Sequence, residues 1–471
     1  MRIEIINWGP IQRCEYDLNK PLIVTYGENN IGKSYAMQVM YLLLKKILYF
    51  SNIAMHMGGY FQEMEIKTSE IENILKSFVL EEKEANRDIT DEVLALSVKT
   101  FEKMLLPEFR TSLENTFGTY SKIVEQNPII KLYLDNEHIY TFLLNENKME
   151  IDIKINKIYL RKTTSNFHKS RNCKDHYDIY VYQNHVNTPL NLIRSKVFEL
   201  VAEFAKEIRG RIKDVYFLPA SRSGIYTGMS SFGPIMAQIS QNRAFFNRPF
   251  QIPSIPEPIS DYYMELSNIK ADRYLKYEDL AHEIEESILN GKVEFDSRNK
   301  TITYQGNNVD QALEMNDVSS MVSEISPIVA YLKYIVNTGV MRNKVTTTRT
   351  KKSVSIIFIE EPEAHLHPLN QIKLMKTFMK LSQSNVNLVI ASHSNYIFNE
   401  LNNRVLAGEL DNNTYSPIVM KWENGKSNTY PMEMDEFGVS DTNFADASTL
   451  LYDEREELIV KLMERMENEE G

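Results

Sequence analysis

The chain has 471 residues, of which 43% are hydrophobic, and a formal net charge of −11. This length is sufficient for two or three domains, each with its own core. The acidic balance argues against a broad nucleic-acid-binding surface, because phosphate neutralisation dominates nucleic-acid affinity. No run of about 18 apolar residues predicts a membrane span, and the N-terminus does not resemble a signal peptide, so we expect a cytoplasmic location.

The two cysteines, Cys14 and Cys173, are far apart in the chain, and neither belongs to a C-x-x-C motif. The sequence therefore encodes neither a disulfide framework nor a typical zinc site. His168 and His176 lie close to Cys173 and could in principle hold a metal with it. Three potential ligands on a polar loop are common, however, and a fourth is not close in the sequence. We expect that this loop binds no metal.

The N-terminal segment predicts three strands. Apolar and polar residues alternate over 2–8 and again over 11–18, with a Gly9-Pro10 turn between them, which predicts an antiparallel hairpin. An apolar run over 21–26 predicts a third strand. It leads directly into the octapeptide Gly27-Glu28-Asn29-Asn30-Ile31-Gly32-Lys33-Ser34.

This octapeptide is a complete G-x-x-x-x-G-K-S phosphate-binding loop. Its glycines let the backbone NH groups point at phosphates, Lys33 can reach the β and γ phosphates, and the Ser34 hydroxyl can ligate Mg²⁺. A helical run begins at Tyr35, so the loop would open a helix whose N-terminus favours anions. We predict that the nucleotide contacts come from Gly27, Glu28, Asn29, Asn30, Ile31, Gly32, Lys33, Ser34 and Tyr35.

The middle of the chain predicts alternating helical and strand-rich segments. Residues 60–127 have a charged, helical pattern that is too short for a long arm, and residues 128–185 are rich in predicted strands. The later segments are a helix at about 190–212, a strand at 214–218, a proline-rich connection at 232–260, a helix at 273–290 and a hairpin at 292–305. The most basic stretch, 343–352, is expected to be a solvated loop rather than a DNA contact.

An apolar strand over 355–359 ends in two carboxylates, Glu360 and Glu361. Paired carboxylates at a strand end are what a phosphate site needs opposite its loop. Glu360 would hold the metal ion through water, and Glu361 would activate the attacking water. The sequence therefore predicts metal ligation by Ser34 and Glu360, and catalysis by Glu361.

The carboxylate strand and the following segment, 362–368, together resemble the extended Walker B motif and D-loop of the ABC-type ATPases related to the SMC, RecF and OLD proteins. The N-terminal hairpin fits the same group. Glu360 departs from the general pattern, which has Asp at this position, and the substitution is associated with the OLD-like branch. The resemblance implies that His365 and His367 are D-loop residues rather than metal ligands.

Further site residues follow from this resemblance. The segment 387–394 resembles the switch-histidine segment, which implies that His393 contacts the γ-phosphate or the attacking water. ABC-type heads work as pairs, and the best candidate for the signature helix that closes over the other subunit's nucleotide starts at Ser319 and Ser320. This segment lacks the usual Gly-Gly, so an ordinary helix cap is the alternative. Arg222 would sense phosphate or clamp an interface, with a structural ion pair as an equal alternative.

We expect an α/β fold, namely a P-loop ABC-type ATPase head with an N-terminal antiparallel β hairpin and a helical insertion. The N-terminal lobe with the phosphate loop would cover 1–58 and the helical insertion 59–130. A β and helical lobe with the signature-like segment would cover 131–345. Walker B, the switch histidine and the C-terminal helices would cover 346–471. The last stretch, 453–471, predicts an acidic amphipathic helix that packs on its own domain or docks a partner.

The expected activity is hydrolysis of ATP with Mg²⁺, coupled to pairing or higher assembly of the heads. The residues after His393 show no acidic nuclease motif, so a fused toprim nuclease does not fit. A stand-alone head of this size resembles the ATPase subunits of anti-phage defence systems, most of all the AriA-type subunits of the PARIS system. That resemblance implies a homo-oligomer that holds a separate toprim nuclease until a phage-encoded trigger protein appears.

Two alternatives stay open at this point. One is a RecF-like or SMC-like DNA-repair ATPase that binds DNA across its dimer. The other is the ATPase of a Septu or retron defence cassette. No membrane contact is expected in any of these interpretations.

Overall fold

A computed structural model describes residues 1–56, 68–80, 85–165, 169–182, 187–230, 255–269, 276–336, 353–441 and 443–470. His168, the whole basic stretch 343–352 and most of the proline-rich connection lie outside these ranges. Within them, none of the helices combines the length and the apolar content needed to cross a bilayer.

The described residues contain twenty strands in four sheets. The strands are β1 (Arg2–Trp8), β2 (Ile11–Asp17), β3 (Leu22–Tyr26), β4 (Asn86–Asp88), β5 (Ile129–Tyr133), β6 (His138–Leu143), β7 (Lys148–Ile153), β8 (Lys157–Thr163), β9 (Ser170–Asn172), β10 (His176–Tyr182), β11 (Ile212–Leu218), β12 (Gly291–Asp296), β13 (Thr301–Gly306), β14 (Leu313–Glu314), β15 (Val354–Glu360), β16 (Val386–Ala391), β17 (Tyr415–Glu423), β18 (Lys426–Pro431), β19 (Met434–Asp435) and β20 (Gly438–Val439).

Twelve α-helices accompany these strands in the described ranges. They are α1 (Lys33–His56), α2 (Thr68–Leu80), α3 (Thr90–Thr116), α4 (Tyr120–Val124), α5 (Asn187–Arg211), α6 (Arg222–Ser230), α7 (Glu257–Ser267), α8 (Glu278–Ile284), α9 (Ser320–Ala330), α10 (Pro368–Ser382), α11 (Asn395–Leu406) and α12 (Ala445–Glu470). Two of them, α8 and α9, continue as π-helical turns at Glu285–Leu289 and Tyr331–Ile335.

The main sheet has eleven strands in the order β11-β15-β16-β3-β17-β18-β2-β1-β5-β6-β7. Its first five strands run parallel, so their carboxyl ends lie at one edge. The strands beyond β17 are mostly antiparallel, and β1 and β2 form the predicted hairpin. One continuous sheet therefore joins a parallel half to an antiparallel half.

Helices cover both faces of the parallel half. All five residues of β3 are buried, as expected for a central strand with two covered faces. Ile23 packs on the side of α1, α3 and α5, whereas Leu22 and Val24 pack on the side of α9, α10 and α11. This alternation is the two-residue period of a strand whose faces belong to two separate cores.

The segment between the hairpin and α5 is partly independent of the main sheet. Strands β4, β8, β10 and β9 form a second sheet, and α2 packs on it through Ile71, Leu75 and Phe78. The predicted fold class is confirmed, because an α/β head carries an N-terminal hairpin and an inserted helical segment. The strands β5, β6 and β7, in contrast, extend the main sheet.

The C-terminal helix α12 was expected either to pack on its own domain or to dock a partner, and most of it does not pack on the domain. Every side chain from Thr449 to Met463 is exposed, including Leu451 at 69% and Leu458 at 56%. The stripe of apolar residues in the sequence therefore did not show whether a surface of the domain covers this helix.

A buried ion pair joins the two π-helical turns. Lys333 Nζ donates to Glu285 Oε1 at 2.6 Å and to the Val293 carbonyl at 3.0 Å, and the two charged side chains are only 7% and 3% exposed. The other carboxylate oxygen of Glu285 lies 2.7 Å from His282 Nδ1. This pair links α8 and α9 to the small sheet that contains β12.

The substitution Lys333→Met should lower the free energy of unfolding by about 3 to 5 kcal/mol, because it leaves the Glu285 carboxylate buried without its cation. Chemical denaturation of the variant beside the wild type measures the loss. Lys380→Met is the matched control, since it breaks the exposed pair with Glu283 and should cost less than about 1 kcal/mol. Equal losses of unfolding free energy in the two variants would show that burial does not make the Lys333–Glu285 pair more important for stability than an exposed pair.

Candidate active site

The phosphate loop, Glu361 and His393 meet at the carboxyl end of the parallel strands β3, β15 and β16. There they line a cleft of about 860 Å³. Its walls are formed by Pro10, Asn29, Asn30, Ile31, Gly32, Lys33, Ser34, Tyr35, Glu361, Ala391 and His393. Segments that are more than 300 positions apart in the sequence thus contribute to one concave site.

The backbone of the phosphate loop requires its two glycines. Gly27 has φ +144° and Gly32 has φ +108°, which are conformations that side chains rarely tolerate. A Cβ atom on Gly27 would lie 2.6 Å from the Met420 carbonyl oxygen, and one on Gly32 would lie 3.0 Å from Ile11. The loop is therefore packed tightly between β17 and the N-terminal hairpin.

Lys33 folds back onto the loop. Its Nζ donates to the carbonyl oxygens of Gly27 at 2.9 Å and Glu28 at 2.7 Å, and the residue is only 6% exposed. Burial lowers the pKa of Lys33 to about 8. A buried ammonium that donates to carbonyl oxygens is suited to phosphate oxygens, because an anion would stabilise its charge.

Glu360 ends β15 beside the loop. Its Oε2 accepts a hydrogen bond from the Ala220 NH at 3.2 Å, and the nearby Ser34 side chain favours the charged form of its carboxylate. Burial raises the pKa of Glu360. Its Oε1 is buried, and among the described residues it has no hydrogen-bond partner.

The side chains of Ser34 and Glu360 fit a magnesium site. An unpartnered buried carboxylate oxygen is costly by itself, and a cation removes that cost. Carboxylate and hydroxyl oxygens are hard ligands of the kind that Mg²⁺ prefers, with water and phosphate completing the coordination.

Glu361 turns away from the strand into the cleft. Its φ of +42° is uncommon for a residue with a side chain and marks a backbone held in place by its surroundings. The Glu361 NH donates to the Ala391 carbonyl at 2.9 Å, so the backbone still follows β16. The side chain is 47% exposed, which leaves the carboxylate accessible to water.

His393 lies opposite Glu361. Its Nε2 is 3.9 Å from Glu361 Oε1, and the residue lines the cleft together with the phosphate loop. Burial and the nearby Lys33 charge lower the pKa of His393. A neutral imidazole therefore faces the carboxylate and the phosphate loop at physiological pH.

Glu363 was assigned no role by the sequence analysis. Its Oε1 accepts hydrogen bonds from the His393 NH at 2.6 Å and the Ser392 hydroxyl at 2.9 Å. Burial raises the pKa of Glu363. The residue therefore fixes the backbone of His393. Its signal in the sequence was a third carboxylate within four positions, Glu360 to Glu363.

Of the two alternatives given for Arg222, its position fits the structural ion pair rather than a contact with phosphate. The residue is fully buried and does not line the cleft. Its guanidinium donates to the carbonyl oxygens of Glu360 at 2.8 Å and Glu361 at 3.2 Å, and also to that of Pro219 at 3.1 Å. Arg222 therefore holds the backbone beneath the carboxylate pair.

Glu324 is the acidic partner of Arg222. Its Oε2 lies 3.5 Å from Arg222 Nε and accepts from the Arg222 NH at 3.0 Å. Its Oε1 accepts from the Ser223 NH and hydroxyl at 3.2 and 2.6 Å. Because Glu324 belongs to α9, this buried pair joins the signature-like helix to the carboxylate strand.

Ser319 and Ser320 are at the start of α9 and are exposed. The Ser319 side chain caps the helix by accepting from the Val322 NH at 3.5 Å. Neither serine lines the cleft that contains Lys33. Within one subunit they are thus separate from the other predicted site residues.

The chain was also compared with known proteins. Residues 1–398 match a protein family described as an AAA ATPase domain. No match was found among the curated proteins.

Among solved structures, the chain is similar to an SMC head bound to the C-terminal winged-helix domain of ScpA, with 8% identity and a TM-score of 0.36 over 92% of this chain and 98% of that one. The SMC head domain from Thermotoga maritima has 8% identity and a TM-score of 0.34, with the same coverage of 92% and 98%. A Pyrococcus furiosus Smc head with an extended coiled coil has 9% identity and a TM-score of 0.35 over 96% and 98%.

These three likenesses are too weak to carry an argument about function. The family match, in contrast, includes the phosphate loop, the carboxylate strand and His393 within a single range. The chain belongs to the AAA ATPase domain family and is an ATPase.

Proposed function

We propose that this ATPase binds ATP with Mg²⁺ in the cleft at the carboxyl end of β3, hydrolyses it there, and uses the bound nucleotide to pair with a second copy of itself. The observation that carries this proposal is the position of Glu361. Its accessible carboxylate faces the phosphate loop on one side and the neutral imidazole of His393 on the other.

Each residue has a defined task in this proposal. The loop NH groups and Lys33 bind the phosphates, and Ser34 and Glu360 hold the metal ion, which would offset phosphate charge. Glu361 accepts a proton from the attacking water. His393 orients that water or contacts the γ-phosphate, and Glu363 keeps its backbone in place.

The pairing follows from the two exposed serines at the start of α9. Their hydroxyls and the free NH groups of a helix start suit an anion, but they are not part of the cleft of their own subunit. A second copy could supply them to the nucleotide. The Glu324–Arg222 pair would then transmit the closure to the backbone of Glu360 and Glu361.

The biological role that we propose is that of the sensor and scaffold subunit of an anti-phage defence complex. In this role the ATPase forms a homo-oligomer that holds a separate toprim-type nuclease until a phage protein triggers release. The order of the motifs along the chain supports the proposal. The structure of residues 415–431 supports it as well, because these residues form strands of the ATPase sheet rather than a nuclease fold.

A DNA-repair role of the RecF or SMC type is the second candidate. It would use a local basic groove at the subunit interface, and the net charge of −11 disfavours a broader DNA-binding surface. The ATPase of a Septu or retron cassette differs from the first proposal only in the effector that is bound.

The substitution Glu361→Gln should preserve ATP binding and slow hydrolysis at least about 100-fold, because the amide cannot accept the proton from water. Phosphate release and nucleotide binding, measured on the same preparation, separate the two effects. Glu436→Gln is the control, since Glu436 is an exposed glutamate outside the phosphate loop and the other predicted site residues.

The outcomes of this experiment are distinct. Turnover by Glu361→Gln close to that of the wild type would remove Glu361 as the base. The variant Lys33→Ala should lose nucleotide binding, so tight ATP binding by that variant would contradict the assignment of the loop.

The substitution Ser320→Glu should leave ATP binding by one subunit intact but abolish ATP-dependent self-association and lower turnover at least about tenfold. An acidic residue in the first turn favours the helix itself, whereas it repels the phosphates of a partner's nucleotide. Sedimentation with a non-hydrolysable ATP analogue measures the association. Gln311→Glu adds the same charge to another exposed position, and equal behaviour of the two variants would argue against this interface.

For the defence role, the Glu361→Gln protein should co-purify, with ATP present, with a nuclease encoded by a neighbouring gene. Mass determination of the assembly should give a large homo-oligomer that carries the nuclease. A DNA-bound dimer without a protein partner would favour the repair alternative.

A further inference from the structure

A cluster of metal-ligating side chains lies outside the nucleotide cleft, on the β9–β10 hairpin. The Cys173 NH donates to the His176 carbonyl at 2.9 Å, so these two residues face each other across the turn. Asp178 is two positions after His176 in β10 and therefore lies on the same face of the strand. The hairpin thus presents three different ligand types on one side.

The three ligand atoms are close together. One atom from each of Cys173, His176 and Asp178 lies within 4.8 Å of the other two, and His176 Nε2 is 3.6 Å from Asp178 Oδ2. With metal bonds of about 2.0 to 2.3 Å, ligand atoms of a tetrahedral zinc site lie about 3.3 to 3.8 Å apart. The histidine and aspartate already have this spacing.

The histidine ring is oriented by a second carboxylate. His176 Nδ1 lies 2.8 Å from Asp175 Oδ1, and the ring packs edge-on against Tyr159 with centroids 5.8 Å apart. A hydrogen bond from Nδ1 to Asp175 places the free lone pair on Nε2, which faces Asp178. Histidine ligands of metals are typically held by a carboxylate in this way.

Asp178 is shared between the cluster and an arginine. Arg161 Nε donates to Asp178 Oδ1 at 2.6 Å, while Oδ2 faces His176. The carboxylate is only 3% exposed, so its orientation is fixed by packing. The positive charge of Arg161 balances only part of the negative charge of the two anionic ligands, Cys173 and Asp178. The remaining negative charge favours a divalent cation.

We propose that Cys173, His176 and Asp178 form a binding site for a divalent transition metal of the zinc class. This differs from the sequence-based expectation that the loop binds no metal, because the third ligand, Asp178, is supplied by the strand. Thiolate and imidazole select zinc-class ions over Mg²⁺. Cys173 and His176 are partly exposed, so water can take the fourth position.

Such a metal would stabilise the edge of the second sheet. Strand β9 has only three residues, all exposed, and among the described strands it pairs only with β10. A metal that links the turn to β10 would hold this short strand in register. The site is separate from ATP hydrolysis, so its test does not depend on the ATPase mechanism.

The full-length protein, stripped with a chelator and free of nucleotide, should bind about one Co²⁺ per chain with a thiolate-to-cobalt absorption band in the near ultraviolet. Zn²⁺ should displace the cobalt and should raise the thermal unfolding midpoint. This band reports Cys173 alone, because the other cysteine in the sequence, Cys14, is fully buried in the main sheet.

Variants test each part of the site. Cys173→Ser should eliminate the band and the zinc-dependent stabilisation, and Asp175→Asn should weaken binding about tenfold. His138→Gln is the matched control, since His138 is also a partly exposed histidine bonded to an aspartate but is outside the cluster. Absence of the band in the wild-type protein, or its persistence in Cys173→Ser, would overturn the proposal.

Discussion

The architecture of the site depends on one buried guanidinium. Arg222 is fully buried and bonds to the carbonyl oxygens of Glu360 and Glu361 as well as to Glu324 of α9. Arginine suits this place because its planar group offers several donors in a fixed arrangement and keeps its charge when buried. Removal of any one partner would leave polar groups without compensation in a dry interior.

This interaction explains how two adjacent glutamates can have different environments. Glu360 completes β15 and points into the interior beside Ser34, whereas Glu361 adopts φ +42° and points into the cleft. The strand alone would place the two side chains on opposite faces of the sheet. Arg222 holds both carbonyl groups from below, and the Ala391 carbonyl holds the Glu361 NH from the side. The carboxylates are thereby separated into a buried one and an accessible one.

The parts of the site that were predictable are those whose chemistry is local in the chain. The phosphate loop follows from two glycines with a lysine and serine, and Glu360 and Glu361 follow an unmistakable apolar strand. The partners of Arg222 and the role of Glu363 were not predictable, because the groups that these two residues contact come from distant parts of the chain. The exposure of α12 was missed for a similar reason, since a pattern of apolar residues does not specify which surface covers them. Cys173 and His176 were recognised as ligand types, but the position of Asp178 on the same face required the register of the hairpin.

The strand order of the main sheet has a consequence for how the protein is made. The strand before the phosphate loop, β3, lies between β16 and β17, and Ser427 of β18 pairs with Ile11 of β2. A ribosome therefore synthesises several hundred further residues before β3, and the edge of β2 that pairs with β18, can meet their neighbours. Such distant pairings slow folding and leave apolar strands without partners in the meantime. The ATPase site, although its loop lies far upstream in the sequence, can be completed only after β17 has been synthesised.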